Sequence, residues 1–334
     1  MLRIYNREND HIVAHDITVG DGTAPLETHA GAPWIDMLAP ASSEARYVES
    51  ILGISIPTRE EMQEIEISAR LYSESGAEFM TITGLSQLDT DTPVASPITF
   101  ILKGGALVTV RYEEPRPFQA FSIRAARSGA VPCATGEQVM FGLLEALIDR
   151  MADALERVGL KIDSFSREVF RHAEPKHRSS RTRDFESIIE QIGREGDLLG
   201  MVRESLVSIN RLLTYHNAVE DADKKATRDA RVRLKILQRD VSSLSDHASY
   251  LSGKINFMLD STLGLINLEQ NQIIKIFSIA AVCLMPPTLV ASLYGMNFKH
   301  MPELEWTYGY PMAIGLMLIS AIVPVIYFRR KGWL

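Results

Sequence analysis

Apolar residues are unevenly distributed along this chain, and two uncharged apolar segments lie close to its C-terminus. The first segment runs from Ile276 to Leu293 and the second from Trp306 to Phe328. Each is long enough to cross a hydrocarbon layer of about 30 Å as a helix of roughly 20 residues. Two such segments in succession are not typical of buried core helices. The pattern therefore predicts two transmembrane helices joined by a short loop.

Charged residues beside the two segments predict their orientation. Lys275 precedes the first segment and a basic run, 329–331, follows the second, whereas the loop between them holds one lysine and two glutamates. Because positive residues favour the cytoplasmic side, we expect both termini in the cytoplasm and the loop outside. Aromatic residues stand where membrane-interface belts form, at Trp306, Tyr308, Tyr310, Tyr327 and Trp333.

The first segment carries a stripe of mostly polar, small or flexible side chains. Its members recur at alternating steps of three and four residues, the period of a left-handed helical bundle. This stripe, called the seam below, consists of Asn271, Ile274, Ser278, Ala281, Met285, Thr288, Ser292 and Gly295. The apolar residues that we expect to face lipid are Phe277, Ile279, Leu284, Leu289 and Val290. The seam suits both a pore lining and the packing of small residues between membrane helices, and these roles are compatible.

A pore lined by the seam requires several copies of the chain. One hairpin provides only a contact between two helices, which cannot enclose a water-filled path in lipid. Copies arranged around a common axis can enclose one. Oligomerisation is therefore part of any transport interpretation of this sequence.

A long helical pattern precedes the first segment. Between residues 227 and 295 the only prolines are Pro286 and Pro287, which would weaken the helical hydrogen bonds locally. We therefore predict one continuous helix, about 100 Å long at 1.5 Å per residue, that forms a stalk and then the first span. Apolar residues at helical spacing predict two further helices at 136–172 and 183–218.

The first 130 residues are predicted to form a mixed α/β domain. Strands are expected at 34–38, 78–83 and 98–112, the last folded into a hairpin at Gly104-Gly105. Helices are expected at 41–52 and 58–64, and Thr58 begins a possible capping box in the second. The sequence shows no Gly-rich phosphate loop, catalytic triad or paired-histidine metal motif. It therefore predicts neither an enzyme nor a bound cofactor.

Composition restricts the partners of this chain. Its 334 residues carry a formal net charge of −7, so nucleic acid, which needs a basic face, is not an expected partner. Cys133 and Cys283 are the only cysteines, which excludes a disulfide framework. Residues 1–16 have no apolar core of signal-peptide length. We accordingly expect the large N-terminal part in the cytoplasm.

Short motifs mark the end of the first span, the loop and the tail: Gly295-Met296-Asn297 at the end of the span, Met301-Pro302-Glu303-Leu304 in the loop, and a basic tail that ends at Trp333-Leu334. In these motifs and their positions the sequence resembles the CorA family of divalent-cation channels. The layout of the whole chain matches as well. The resemblance implies a homopentamer in the bacterial inner membrane, with five first spans around a pore. It also implies passive import of Mg²⁺, and of Co²⁺ or Ni²⁺, down the electrochemical gradient.

On this layout the chain is an α+β membrane protein with six parts. We expect a cytoplasmic α/β domain at 1–130, a helical region with the stalk at 131–272, a pore-lining transmembrane helix at 273–295, an external loop at 296–305, a second transmembrane helix at 306–328 and a basic cytoplasmic tail at 329–334.

The resemblance also implies roles for individual residues. Gly295, Met296 and Asn297 would form the outer mouth, where a ring of Asn297 amides meets the ion. Mg²⁺ sheds its waters reluctantly, so neutral oxygen acceptors suit capture of the hydrated ion. Glu303 and Glu305 would raise the local cation concentration. The residues expected to line the pore are Asn271, Ile274, Ser278, Ala281, Met285, Thr288 and Ser292.

One residue of the pore lining departs from the family pattern, and another disagrees with the seam. Ser292 stands where the family has a pore-lining glycine. The family's apolar constriction would fall at Ile274 and Phe277, but Phe277 lies off the seam. Only Ile274 therefore agrees with both the seam and the resemblance.

Regulation is a further implication of the resemblance. Gating in this family is attributed to Mg²⁺ held by carboxylates between protomers. Asp260 matches one such carboxylate, and Asp89 or Asp91 is a candidate partner from the N-terminal domain. A plain solvated carboxylate on the stalk is the alternative interpretation of Asp260.

Two other functions remain open at this point. The first is zinc transport, with or without proton coupling, as in another branch of the same superfamily. The second is a cytoplasmic sensor or scaffold that the hairpin merely tethers to the membrane. The polar seam and Asn297 argue against a simple tether.

Overall fold

The computed structural model describes residues 1–9, 11–19, 31–129, 131–172, 181–223, 227–297, 301–302 and 306–333. These residues divide into two compact units. The first unit comprises Met1–Arg171 and Glu186–Met258, and the second comprises His172–Phe185 and Leu259–Leu334.

A seven-stranded mixed sheet organises the first unit. Its strands are β1 Leu2–Glu8, β2 His11–Ile17, β3 Trp34–Leu38, β4 Leu71–Glu74, β5 Ala77–Ser86, β6 Val94–Lys103 and β7 Ala106–Arg111. Their order in the sheet is β2-β1-β3-β7-β6-β5-β4. β3 and β7 are parallel, and all other neighbouring pairs are antiparallel.

The predicted strands are confirmed, and three further strands were not predicted. The hairpin between β6 and β7 turns at Gly104 and Gly105, whose φ angles of 59° and 90° suit glycine. The strands that sequence reasoning missed are β1, β2 and β4, and β2 and β4 form the two edges of the sheet. Edge strands carry polar and charged side chains that limit pairing with other chains, so their apolar alternation is weak.

One face of the sheet forms a core with short helices. These are α1 (Ser42–Leu52) and α2 (Arg59–Met62), whereas the following helix α3 (Ile67–Arg70) buries none of its residues. Val48 of α1 and Met62 of α2 are buried in this core together with strand residues such as Val108. The predicted capping box is present, because the Glu61 N–H donates to Thr58 Oγ1 at 3.3 Å and the Thr58 N–H donates to Glu61 Oε2 at 2.8 Å.

A buried polar network joins the parallel pair β3 and β7. Arg111 donates to both carboxylate oxygens of Asp36, from Nη2 at 2.8 Å and from Nε at 3.0 Å. Thr109 Oγ1 donates to Asp36 at 2.7 Å and accepts from Trp34 Nε1 at 2.9 Å. Because Asp36 also faces Thr109 in the strand register, these bonds hold the two strands in register.

The remaining helices are α4 (Arg116–Ala125), α5 (Gly136–His172), α6 (Arg181–Asp223), α7 (Arg228–Tyr294) and α8 (Gly309–Arg330). The two helices predicted at 136–172 and 183–218 are confirmed as α5 and α6, and α6 is longer than predicted. The continuous helix through stalk and first span is confirmed as α7. Helix α4 was not predicted.

Helix α6 completes the hydrogen bonds of β5. Beyond Met80, the last β5 residue that pairs with β4, none of the strands in the described residues pairs with β5 on that side. At Thr83 the backbone N–H donates to Ser208 Oγ at 2.9 Å, and the backbone carbonyl accepts from Ser205 Oγ at 2.6 Å. Two serine hydroxyls therefore replace a strand partner, which satisfies buried backbone groups and attaches α6 to the sheet.

Candidate functional site

The second unit contains two helices that are long and apolar enough to cross a membrane, the C-terminal part of α7 and the whole of α8. The most apolar stretch of α7 is only 11% buried within the chain, and the most apolar stretch of α8 is only 6% buried. A core helix of a soluble protein would be mostly buried. Both helices are therefore consistent with insertion in a membrane, where lipid covers their apolar side chains.

The two helices form a hairpin. The Lys275 ammonium lies 5.0 Å from the ring centroid of Trp333, a cation–π distance. Lys275 lies just before the first apolar segment and Trp333 lies after α8, so the beginning of one span and the end of the other meet. Trp333 also stacks on Phe328, with ring centroids 5.5 Å apart.

Exposure separates two faces on the membrane part of α7. All eight seam residues, from Asn271 to Gly295, are exposed. The positions between 271 and 297 that are buried or half-buried recur at steps of three or four, apart from one adjacent pair of prolines. We call them the packed stripe: Lys275, Ile279, Cys283, Pro286, Pro287, Val290 and Tyr294. At about 100° per residue, the seam and the packed stripe lie on roughly opposite faces of the helix.

The packed stripe corrects part of the lipid-facing prediction. Ile279 on α7 and Ala313 on α8 are only 6% and 7% exposed, which we attribute to packing between the two spans. Val290 is half-buried on the same stripe. The prediction that Ile279 faces lipid was therefore wrong, because helical periodicity alone did not show which apolar side α8 covers. For Val290 it stays a prediction, since a half-buried side chain can still contact lipid. Phe277 and Leu284 are exposed as predicted.

Thr288 presents an acceptor on the seam. Its hydroxyl donates to the Leu284 carbonyl at 2.7 Å, so the hydroxyl hydrogen is used within the helix. The remaining lone pairs of the oxygen can accept hydrogen bonds. Waters around a cation point their hydrogens outward, so a hydrated cation needs acceptors of this kind. The helix continues through Pro286 and Pro287, the two residues directly before Thr288.

The helix ends where the Gly-Met-Asn motif begins. Tyr294 is the last residue of α7, and the Gly295 N–H donates to the Ala291 carbonyl at 3.0 Å. A Cβ atom at position 295 would lie 3.1 Å from that carbonyl oxygen, so glycine allows the tight helix end. Met296 and Asn297 follow and are exposed. Glu303 and Glu305 lie outside the described residues.

The carboxylates predicted to regulate the protein belong to different units. Asp260 is exposed on α7 in the second unit, and Asp91 is exposed in the first. Asp89 in the first unit pairs with three arginines, with distances of 2.5 Å to Arg150 and 3.3 Å to Arg157.

The third arginine beside Asp89 is Arg116. The hydrogen bond from Arg150, with the charges of the other two guanidinium groups, holds the pKa of Asp89 below its usual range. Any divalent cation at Asp89 must therefore compete with three guanidinium groups.

Sequence reasoning missed a polar cluster in the first unit. His216 of α6 is 1% exposed; its Nδ1 lies 2.8 Å from Glu78 Oε2 of β5, and its Nε2 lies 3.4 Å from Glu137 Oε1 of α5. One ligand atom from each of Glu137, His216 and Glu220 lies within 4.8 Å of the others. The spacing of His216 and Glu220, four residues apart on one helix face, was the available signal. Their partners lie more than 70 residues away in the sequence.

The electrostatics of this cluster are set by burial and by the crowding of carboxylates. Burial by itself lowers the pKa of His216, but hydrogen bonds with Glu137 and Glu78 outweigh burial and raise that pKa to about 9. Burial and the nearby carboxylates of Glu137 and Glu78 raise the pKa of Glu220. The ring of Phe141 packs edge-on against His216 at 5.8 Å and closes one side of the cluster.

Comparison with known protein families decides the identity. Residues 29–330 match the family model described as CorA-like Mg2+ transporter protein. The chain belongs to the CorA-like Mg²⁺ transporter family. The family resemblance noted in the sequence is thereby confirmed. Members of this family are ion transporters, so the expectation that the chain is not an enzyme is confirmed as well.

Two curated relatives and one solved structure match this chain over its whole given length. A magnesium transport protein CorA from Yersinia pseudotuberculosis is 34% identical over 335 residues, and one from Escherichia coli K12 is 32% identical over 340 residues. Each alignment covers 100% of both chains. The complete structure of the CorA magnesium transporter from Methanocaldococcus jannaschii has a TM-score of 0.72 and 19% identity, with 100% and 99% coverage. This structure shows that the CorA fold extends over the whole chain, from the sheet to the two apolar helices.

Proposed function

We propose that this protein is a passive homopentameric channel that admits Mg²⁺, and also Co²⁺ and Ni²⁺, to the cytoplasm across the bacterial inner membrane. The observation that carries the proposal is the exposed seam, which lies on α7 roughly opposite the packed stripe and leads to Asn297. Membership of the CorA-like Mg²⁺ transporter family supports Mg²⁺ as the main cargo.

The seam explains why several copies are needed. Its polar members Asn271, Ser278 and Thr288 are exposed in the single chain, and polar atoms that face lipid with unused hydrogen-bonding capacity are costly. Five copies with their seams directed at a common axis would remove these groups from lipid and surround an aqueous path. The Lys275–Trp333 contact supports a hairpin whose two ends lie on the same, cytoplasmic side.

Selection would operate on the hydrated ion. Mg²⁺ releases its waters reluctantly, so the outer mouth should bind those waters and leave the ion hydrated. A ring of Asn297 amide oxygens supplies neutral acceptors, and Thr288 supplies further acceptors along the seam. Met285 and Ile274 are apolar seam residues at which the path can close by dewetting. Glu303 and Glu305 would attract cations to the entrance, an effect that salt screens.

Regulation would use cytoplasmic Mg²⁺ bound between protomers. Asp260 is the carboxylate that supports this part of the proposal, because it is exposed on the same helix that carries the seam. Asp89 and Asp91 are the proposed partners, and the arginines around Asp89 would have to release it. When Mg²⁺ leaves, repulsion between facing carboxylates would favour the open state.

The test of the channel is Mg²⁺ uptake by vesicles that contain the full-length protein. Asn297→Ala should abolish uptake because it removes the ring of acceptors, while the oligomer observed by size-exclusion chromatography stays intact. Asn256→Ala, which changes an exposed asparagine on α7 outside the apolar segment, should leave uptake unchanged. Undiminished uptake by Asn297→Ala would sink the channel assignment.

The same vesicles separate the alternatives for the cargo and for the mechanism. We expect Mg²⁺, Co²⁺ and Ni²⁺ to enter without a pH gradient, driven by the membrane potential. Zinc uptake that depends on a pH gradient would instead support the zinc transporter, and the absence of any ion flux would support a membrane-tethered sensor or scaffold.

A further inference from the structure

The cluster around His216 has the features of a binding site for a metal ion. We propose that Glu137, His216 and Glu220 bind one divalent transition-metal ion, such as Zn²⁺ or Co²⁺, at a site separate from the conduction path. The three residues all belong to the first unit, whereas the seam belongs to the second. The proposal does not depend on the proposed channel function.

Glu78 fixes the tautomer that a metal ion needs. Its carboxylate can only accept, so the 2.8 Å contact makes Nδ1 of His216 the donor. A neutral His216 then presents the lone pair of Nε2 toward Glu137 and Glu220. Histidines that bind metals usually donate their other ring N–H to a carboxylate in this way.

The distance on the other side of the ring suits a shared ion. Nε2 of His216 lies 3.4 Å from Glu137 Oε1, which is long for a charge-assisted hydrogen bond. Two ligand atoms that each lie about 2.0–2.1 Å from a tetrahedral ion are about 3.4 Å apart. Glu220 follows His216 by one helical turn and brings a third ligand atom within 4.8 Å of the other two.

The charge of the cluster also favours a divalent cation. Glu78, Glu137 and Glu220 surround a single imidazole, so a proton on His216 compensates only one of three carboxylates. Arg231 is a further cation whose charge acts on Glu220. When a divalent ion binds, the His216 proton is released to water. The ion then compensates two negative charges of the cluster, whereas the proton compensated one.

The ligand types indicate the class of ion. One imidazole with two carboxylates suits Zn²⁺, Co²⁺ or Ni²⁺, whereas Mg²⁺ prefers oxygen ligands and keeps several waters. Because His216 and Glu220 lie on α6 and Glu137 lies in the first turn of α5, the ion would join the two helices beside β5. Bound metal should therefore stabilise the folded first unit.

The experiment measures Zn²⁺ binding to the full-length protein after chelator treatment, with Mg²⁺ in large excess. The excess Mg²⁺ occupies sites built from oxygen ligands, such as those of the conduction path. Equilibrium dialysis gives the Zn²⁺ bound per chain, X-ray absorption at the zinc edge identifies imidazole ligands, and thermal unfolding reports stabilisation. We expect one Zn²⁺ with an imidazole ligand and a raised Tm.

Four variants test the assignment. Glu220→Gln and His216→Gln should abolish this Zn²⁺ and its effect on Tm. Glu78→Gln should weaken binding about 10–100-fold, because it removes the carboxylate that orients the imidazole. His247→Gln, which changes an exposed histidine on α7, should bind Zn²⁺ as the unmodified protein does.

The outcomes separate the site from the channel. Glu220 is only half-buried, so Glu220→Gln should remain folded even where a change at buried His216 prevents folding. Zn²⁺ binding that is unchanged in Glu220→Gln, or zinc absorption spectra without an imidazole ligand, would overturn the proposal. Mg²⁺ uptake by the Asn297→Ala vesicles tests the channel independently, so either proposal can fail while the other holds.

Discussion

At the scale of single residues, the buried pair of Asp36 and Arg111 has the clearest consequence. Both side chains are about 5% exposed or less, and Arg111 binds both oxygens of the carboxylate. Removing one partner of such a pair leaves a buried charge without compensation. The pair is therefore important for integrity of the sheet, although an apolar replacement of both partners could be equally stable.

We predict that Asp36→Asn lowers the free energy of unfolding by about 3–5 kcal/mol. Asp16→Asn is the matched control, because its pair with Arg3 lies at the surface and Asp16 is 64% exposed. Breaking an exposed pair should cost about 1 kcal/mol or less. Denaturant titrations followed by circular dichroism would measure both values, and equal losses in the two variants would contradict the argument.

At the scale of elements, the entry of α5 depends on close contact with the β6–β7 hairpin. The Gly136 N–H donates to the Gly105 carbonyl at 2.6 Å. A Cβ atom at position 136 would lie 2.3 Å from the Leu107 nitrogen and 2.5 Å from the Ala106 carbonyl carbon. These are backbone atoms of β7, so a side chain at this position must displace the helix from the strand.

We predict that Gly136→Ala lowers the free energy of unfolding by about 1–3 kcal/mol through this overlap. It should also weaken the Zn²⁺ site, since Glu137 follows directly. Gly193→Ala on α6 is the control, because a Cβ atom there meets nothing within 4 Å. Alanine in place of that helical glycine should stabilise the protein by about 0.5–1 kcal/mol. Stabilisation by Gly136→Ala would refute the close contact.

At the scale of the whole molecule, the proposal places the seams of several copies around one axis. Thr288 belongs to the seam and Leu289, its exposed neighbour, lies 100° further around the helix. Adjacent positions on one helix should therefore differ sharply in their access to the aqueous path.

We predict that Cd²⁺ blocks Mg²⁺ uptake by Thr288→Cys and leaves Leu289→Cys unaffected, with Cys283→Ala present in both. Cysteines around a narrow axis can bind Cd²⁺ together, whereas those facing lipid cannot. Uptake in vesicles, with and without Cd²⁺, would measure the difference. An equal response of the two variants would contradict the proposed seam. The number of copies is a separate measurement, and native mass spectrometry would test for five copies of the 37.3 kDa chain.

The proposed regulation also belongs to the whole molecule. We predict that Asp260→Lys blunts the inhibition of uptake by Mg²⁺ on the cytoplasmic side, because a lysine cannot share the ion between protomers. Asp246→Lys, a change of an exposed aspartate on the same helix, should leave the inhibition curve unchanged. Inhibition of Asp260→Lys with the same midpoint as the unmodified protein would discard this role.

Features encoded by neighbouring residues could be predicted from the sequence. The two apolar helices follow from uncharged segments of membrane-spanning length, and the capping box at Thr58 follows from residues three positions apart. The continuous α7 follows from a long stretch without proline. The Gly295-Met296-Asn297 motif between two such helices was sufficient to indicate the family. In each case the physical cause acts within one segment.

Features that join distant segments needed the tertiary structure. Helical periodicity identified the seam, but only the packing of the two spans revealed that Ile279 is covered. Asp36 meets Arg111 because β3 and β7 are parallel neighbours, and Glu137 meets His216 because α5 and α6 lie together beside β5. The sequence by itself determined the membrane helices and the family, since these depend on local apolar length and on one short motif. The tertiary structure decided which polar residues meet, because contacts between distant segments depend on how the elements pack.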